Sequence, residues 1–257
     1  MILNTSSKIE IIPVHLDLDI KPRHKLDTII LKSIKQAHEN LFNKDIMVIA
    51  HKVISKAEGR IVNLANVKPS NKSVIIAKEQ DKDPRIVELI LAESKHVLRL
   101  SSGLIIVETN HGFICANAGI DQSNVEDGGN HVVLLPVDPD KSANKIRDSF
   151  RRKTGKDVAI VITDTFGRPF REGQTNIAIG IAGLDPIKSY IGSDDMYGRK
   201  LRVTEIAIAD EIASAAELVM GKSNRIPVVI IRGYKYHRSN RHSISRLIRS
   251  KEKDLFR

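Results

Sequence analysis

Residues 158–182 read VAIVITDTFGRPFREGQTNIAIGIA. Val158 to Thr163 is a short, β-branched apolar run of the kind that forms a buried strand. Asn176 to Ala182 is a second strand, in which Ile177, Ile179 and Ile181 alternate with small residues. Upstream, Pro139 to Thr154 places Ala143, Ile146 and Phe150 on one helical face, and Gly155 is positioned to end that helix. Downstream, Thr204 can cap a helix running to Met220, with Gly221 as its stop and Pro227 to Ile231 as a last buried strand.

Toward the amino terminus, Ile46 to Ala50 (IMVIA) follows the turn formers Asn43-Lys44-Asp45 and reads as a strand. From Asp83 to Leu100, Ile86, Leu89, Ile90, Val97 and Leu98 recur at three- and four-residue intervals, which predicts a helix. Gly103 to Glu108 and Gly112 to Ala116 flank Thr109-Asn110-His111 as a hairpin, and Val132 to Leu135 forms another strand. Strands and helices alternate irregularly, so the expected fold is α+β, with mixed, largely antiparallel sheets and packed helices. Residues 1–234 are expected to form the main domain, with two subdomains whose boundaries fall near 80 and 200, and 235–257 form a basic tail.

Length and composition narrow the function classes. A chain of 257 residues with 41% apolar and 28% charged residues can bury a substantial core without staples. Its single cysteine, Cys115, cannot form an intrachain disulfide or a CxxC motif, which points to a reducing cytoplasm. No signal-like amino terminus and no apolar run near 20 residues is present, so neither export nor a membrane is expected. The net charge of +10 invites a nucleic-acid reading. However, nine Lys/Arg against two acids between Arg232 and Arg257 supply most of it, and there is no Trp to build a stacking platform. Nucleic acid is therefore not expected as the primary partner, and the tail is expected to be a partly ordered surface segment.

Three stretches could carry chemistry. In ITDTFGR (162–168), Asp164 and Thr165 emerge at the end of an apolar strand, where a carboxylate and hydroxyl can hold Mg²⁺ or Mn²⁺ and leave room for phosphate oxygens. An Asx turn closing the strand is the structural alternative. In NAGIDQSNVED (117–127), Asp121, Ser123, Asn124, Glu126 and Asp127 form an oxygen-rich loop, a composition also found in solvated turns. In SKAEGR (55–60), Lys56 and Arg60 could neutralise phosphate or belong to a solvated charge run. Gly221-Lys222-Ser223 imitates the end of a P-loop, but Ala216 stands where that motif needs glycine and the helix precedes it.

Together HKVISKAEGR (51–60), NAGIDQSNVEDG (117–128), LLPVDPDKSANKIR (134–147), VITDTFGRPFREG (161–173) and the segment 179–221 resemble the coenzyme F420-0:L-glutamate ligase family in order and interval. The resemblance runs from about Ile12 to Tyr234 and leaves the basic tail uncovered. It implies a GTP-dependent, amide-forming ligase, cytoplasmic and homodimeric, that joins L-glutamate to the terminal carboxylate of coenzyme F420-0 and then adds γ-linked glutamates through an acyl phosphate. GTP is the co-substrate, Mg²⁺ or Mn²⁺ the cofactor and K⁺ a further cation.

By matching motif, the resemblance makes Asp121 and Asp164 catalytic metal ligands, with Thr165 adding an oxygen. It implies nucleotide contacts from Asp17, Leu18, Asp19, Ile20, His51, Lys52, Lys56 and Asn124. Further contacts would come from Met220, Gly221, Lys222, Ser223, Asn224, Arg225 and Ile226. The chain departs from the family pattern in two places. His15 to Ile20 stands where a Gly-Leu-Pro type segment is common, and Lys222 to Arg225 where some members have a glycine-rich loop. Two other readings stay open: a nucleotide-dependent ligase on another carboxylate acceptor, and a nucleic-acid-binding module built on the tail.

Overall fold

A computed structural model describes residues 8–101, 103–122 and 130–255. The chain runs β1 (Glu10–Val14), α1 (Leu26–Gln36), β2 (Ile46–Ala50), α2 (His51–Ala57), β3 (Ile61–Asn63), α3 (Asn71–Gln80) and α4 (Pro84–Ala92). Then come β4 (Ser94–Ser101), β5 (Leu104–Thr109), β6 (Ile114–Ala116), β7 (His131–Val133), α5 (Pro139–Thr154), β8 (Ala159–Arg168) and β9 (Arg171–Ala182). The last elements are β10 (Lys188–Ser189), β11 (Glu205–Ile206), α6 (Ile208–Met220) and β12 (Val228–Arg232).

The fold is α+β. Its main sheet has the order β1-β12-β2-β8-β9, and the β2–β8 pair is parallel while its other neighbours are antiparallel. β2, β12 and the first half of β8 (residues 159–162) are buried apolar runs, as their sequence predicts. β1 has no counterpart in the sequence reading; it carries Pro13, which is tolerated because β1 lies at the sheet edge. Against the sheet pack Ile30 and Ile34 of α1, Ala143, Ile146 and Phe150 of α5, and Ile212, Ala213 and Ala216 of α6. Phe150 is fully buried; truncating such a side chain to alanine costs about 3–5 kcal/mol.

α5 forms where its sequence predicts. The Asp138 side chain accepts from Lys141 N at 2.9 Å, Pro139 opens the first turn, and Gly155 closes the helix at φ 69°. The small residues of β9 also have a reason. A Cβ at Gly180 would lie 2.5 Å from Pro139 Cβ, so only glycine admits the start of α5. β9 is the other sheet edge, and acids cover its amides: Asp210 accepts from Ala178 N and Asp140 from Ile181 N.

Three sequence expectations are corrected. The helix predicted from Asp83 to Leu100 ends at Ala92, after which β4 pairs antiparallel with β5; the helical spacing of Val97 and Leu98 yields to strand pairing. Thr204 does not cap α6, because Glu205–Ile206 pairs with Lys188–Ser189 before the helix starts at Ile208. β8 does not end at Thr163. It continues to Arg168 and returns through a tight hairpin, which places Asp164 and Thr165 within a paired strand opposite Ile177 and Asn176.

The hairpin predicted around Thr109-Asn110-His111 is β5–β6, and with β4 it makes a three-stranded sheet. Val87 and Ile90 of α4 pack there with Ile105 and Val107 of β5 in a second apolar cluster. A third joins Leu64, Val132 and Leu134 near the β3–β7 pair. The basic tail lies mostly at the surface, as expected, but is anchored at one point. Ile244 is buried in the main core and its N–H donates to Asp140, while Arg238 pairs with Asp157, and His242 and Arg246 with Asp185. Among the described residues, no helix is long and apolar enough to cross a membrane.

Candidate active site

The site begins where β2 ends and its parallel pairing with β8 stops, partway along β8. β2 and β8 run in register until Ala50 stands beside Thr163, and α2 starts at the next residue with no intervening loop. His51 is thereby buried beside the strand residue after Thr163. Its Nε2 lies 3.3 Å from Asp164 Oδ1 without a hydrogen-bond partner, and its Nδ1 lies 3.4 Å from Ser55 Oγ one helical turn on. Asp164 Oδ1 also accepts from Thr165 N at 2.7 Å.

Lys52, the next residue of α2, reaches Asp121 Oδ2 at 2.6 Å. Asp121 is held by an isolated bridge in which it and Val133 exchange both backbone hydrogen bonds. Consecutive side chains at the start of α2 thus face the two aspartates singled out from sequence. Asn124, and with it Ser123, Glu126 and Asp127, lies outside the described residues.

The lysine of the ISKAEGR stretch is not solvated. Lys56 is buried and its Nζ reaches Asp19 Oδ1 at 2.9 Å, drawing the segment at 17–20 toward α2. Arg60 turns away, donating to Leu135 O and pairing with Glu93, so its role is to tie β3 to its surroundings. Ile20 is buried, whereas Asp17 and Leu18 are exposed. Leu16 N donates to Arg225 O and Ala50 N to Pro227 O, which brings the 17–20 segment and the end of β2 against the loop after α6.

In that loop Gly221 ends α6 with φ 56°, Ser223, Asn224 and Arg225 are exposed, and Ile226 is half-buried. Met220 is buried in the main core, so a ligand would meet its backbone. Lys222 reaches back to β8 and donates to Thr165 Oγ1 at 2.8 Å while pairing with Glu217 at 2.8 Å. Thr165 in turn meets Asn176 at 2.6 Å, and Asn176 donates to Glu217 at 3.0 Å. Sequence reasoning missed Asn176 and Glu217. Neither belongs to a linear motif; strand register alone sets Asn176 opposite Thr165.

Cys115, on β6, is a poor nucleophile. Burial and the nearby Asp164 charge push its thiol up to about 12. Carboxylate and hydroxyl oxygens of the kind Asp121, Asp164 and Thr165 offer suit a hard divalent cation that completes its shell with substrate oxygens; here Asp121 faces Lys52, Asp164 faces His51 and Thr165 faces Asn176 and Lys222. The buried His51 Nε2 that Asp164 leaves without a hydrogen bond is consistent with a carboxylate oriented for something other than its neighbour. Among the described residues no group of three or more His, Cys, Asp or Glu assembles as a self-sufficient metal cage.

The protein is thus an α+β fold in which the end of β2 and the start of α2 bring lysines and carboxylates together beside the middle of β8. A family model described as F420-0:Gamma-glutamyl ligase matches residues 17–233, and the chain belongs to that family. The chain is 47% identical over 231 residues to the coenzyme F420:L-glutamate ligase of Methanothermobacter thermautotrophicus, covering 89% of this chain and 91% of that protein. It is 46% identical to the protein of the same name from Methanocaldococcus jannaschii, with 83% and 84% covered. Against the one from Methanopyrus kandleri it is 41% identical, with 95% and 96% covered.

Proposed function

We propose that the chain is a cytoplasmic, homodimeric ligase that uses GTP to join L-glutamate to the terminal carboxylate of coenzyme F420-0 and then adds γ-linked glutamate. The observation that carries this reading is the family match across residues 17–233, which spans every described element of the α2–β8 corner. The geometry supports it in part, since Lys52 meets Asp121, Lys56 meets Asp19 and Lys222 reaches Thr165, the residue after Asp164.

Joining a carboxylate to an amine requires a leaving group. The acceptor carboxylate oxygen attacks the γ-phosphorus of GTP, the bond to the β-phosphate oxygen breaks, and GDP departs. The glutamate amine then attacks the acyl phosphate carbon, loses a proton, and phosphate leaves with the C–O bond electrons. Phosphoryl transfer asks little covalent chemistry of the protein, so its side chains act by positioning and charge neutralisation. Lys52, Lys56 and Lys222 offset triphosphate charge, with His51, Asn124, the 17–20 segment and the 220–226 loop around the nucleotide. Asp121, Asp164 and Thr165 would hold Mg²⁺ or Mn²⁺, with K⁺ as a further cation. The divalent ion would supply charge neutralisation between two anionic reactants.

Incubating the protein with F420-0, GTP, Mn²⁺ and L-glutamate should give a product heavier by glutamyl increments, with GDP and phosphate released. Absence of that product across Mg²⁺, Mn²⁺ and K⁺ conditions overturns the reading. Glutamylation of a different carboxylate in an acceptor panel would reassign the acceptor.

A further inference from the structure

Four side chains close a hydrogen-bonded ring at the edge of this site: Lys222, Thr165, Asn176 and Glu217. The ring's ends fix every proton in it. An ammonium only donates and a carboxylate only accepts. Asn176 must therefore turn its NH₂ to Glu217 and its carbonyl to Thr165. Thr165 must then donate its single hydroxyl proton to Asn176, while Lys222 donates into the Thr165 oxygen. Asn176 is buried at 4% exposure, and its carbonyl and NH₂ are each held by one of these hydrogen bonds. The Lys222 side chain is 64% exposed and can leave.

The Thr165 oxygen has two lone pairs, and Lys222 occupies one with a positive charge 2.8 Å away. A cation approaching that oxygen meets both the occupied lone pair and the charge. A phosphate oxygen is a stronger acceptor for an ammonium than a neutral hydroxyl is. We propose that Lys222 is a phosphate-operated latch on the Thr165 hydroxyl: arrival of a polyphosphate draws the ammonium away and opens the Thr165 oxygen to a divalent cation. Asn176 keeps the hydroxyl proton pointed away from the cation throughout. Phosphate and cation binding are thereby coupled through a residue that belongs to neither strand. This inference rests on the proposed reading of a nucleotide and a divalent ion at Thr165.

The test is a double-mutant cycle on the full chain with two probes, Mn²⁺ alone followed by electron paramagnetic resonance, and inorganic triphosphate in the presence of chelator followed by calorimetry. Lys222→Met should bind Mn²⁺ about 5-fold more tightly or better without phosphate, a coupling of ordinary size, and should bind triphosphate more weakly. The Mn²⁺ gain should vanish when Lys222→Met is made in a Thr165→Val or Thr165→Ala background and persist in Thr165→Ser. The two hydroxyl deletions are read together, so misfolding of one leaves the cycle intact. An unchanged Mn²⁺ affinity in Lys222→Met overturns the latch, as does a gain that persists without the Thr165 hydroxyl, which would be plain charge repulsion. If the wild-type chain binds neither probe, the latch and the underlying reading fall together; if it binds both and the cycle is flat, the latch alone falls.

Discussion

Lys52 and Asp121 meet at 2.6 Å although α2 and the loop bearing Asp121 are far apart in sequence. His51, the neighbour of Lys52, lies 3.3 Å from Asp164. One short helix thereby gathers both aspartates at a single corner of the molecule.

Asp121→Asn and Asp164→Asn each remove a charge while keeping size, and Asn at 164 can still accept from Thr165 N. Turnover should fall by about 10²-fold or more, as expected when transition-state charge stabilisation is lost. The thermal midpoint should move little. Product mass assays and melting curves on the same preparations check this, and a matching loss in both would make the aspartates structural.

Asp210 sits partly buried at the edge of β9, and burial raises its pKa above the ordinary 3.8 against the opposing Ala178 N–H bond. A carboxylate with a raised folded pKa binds protons more readily folded than unfolded. Stability therefore falls as pH rises from 3.8 through the folded value. Asp210→Asn keeps an acceptor for Ala178 N, so it should melt higher than wild type at pH 7, with the advantage shrinking toward pH 3.8. Melting curves across that range decide it; an advantage that does not depend on pH would point away from Asp210 ionisation.

The Cys115 thiol, pushed up to about 12, should stay protonated near neutrality. The native protein should therefore resist iodoacetamide at pH 8, whereas the chain unfolded in urea should be alkylated quickly. Intact-mass kinetics measure both. Prompt labelling of the native state would mean that Cys115 is far more open than its packing on β6 implies.

Ile244 carries the tail into the main core. Ile244→Ala should cost about 2–5 kcal/mol, the usual range for a buried isoleucine, measured by denaturant unfolding. Deleting residues 235–257 should lower the thermal midpoint further, because the Arg238–Asp157 and Arg246–Asp185 pairs are lost with it. A deletion that melts like wild type would mean that the tail's contacts add nothing to the stability of the core.

Much of this architecture is written in local pattern. Asp138, Pro139 and Gly155 mark both ends of α5, and IMVIA between turn formers reads as the buried strand that β2 is. Reading failed where two periods overlap: Val97 and Leu98 continue the helical spacing of Ile86 and Leu89, yet β5 recruits them into β4. It also failed at TDT, which looks like a strand end because polarity rises there, although β9 pairs through it to Arg168.

The order of motifs, the chain's apolar segments and the choice of Asp121, Asp164, Thr165 and Lys56 as chemically distinctive residues came from sequence alone, because side-chain type and spacing are local properties. The closing of a proton-ordered ring from Lys222 through Thr165 and Asn176 to Glu217, the diversion of Arg60 to Glu93, and the docking of the basic tail on Ile244 were decided by tertiary structure. Those contacts depend on strand register and on which helix end lies over which strand, and register is a relation between segments that neither segment encodes by itself.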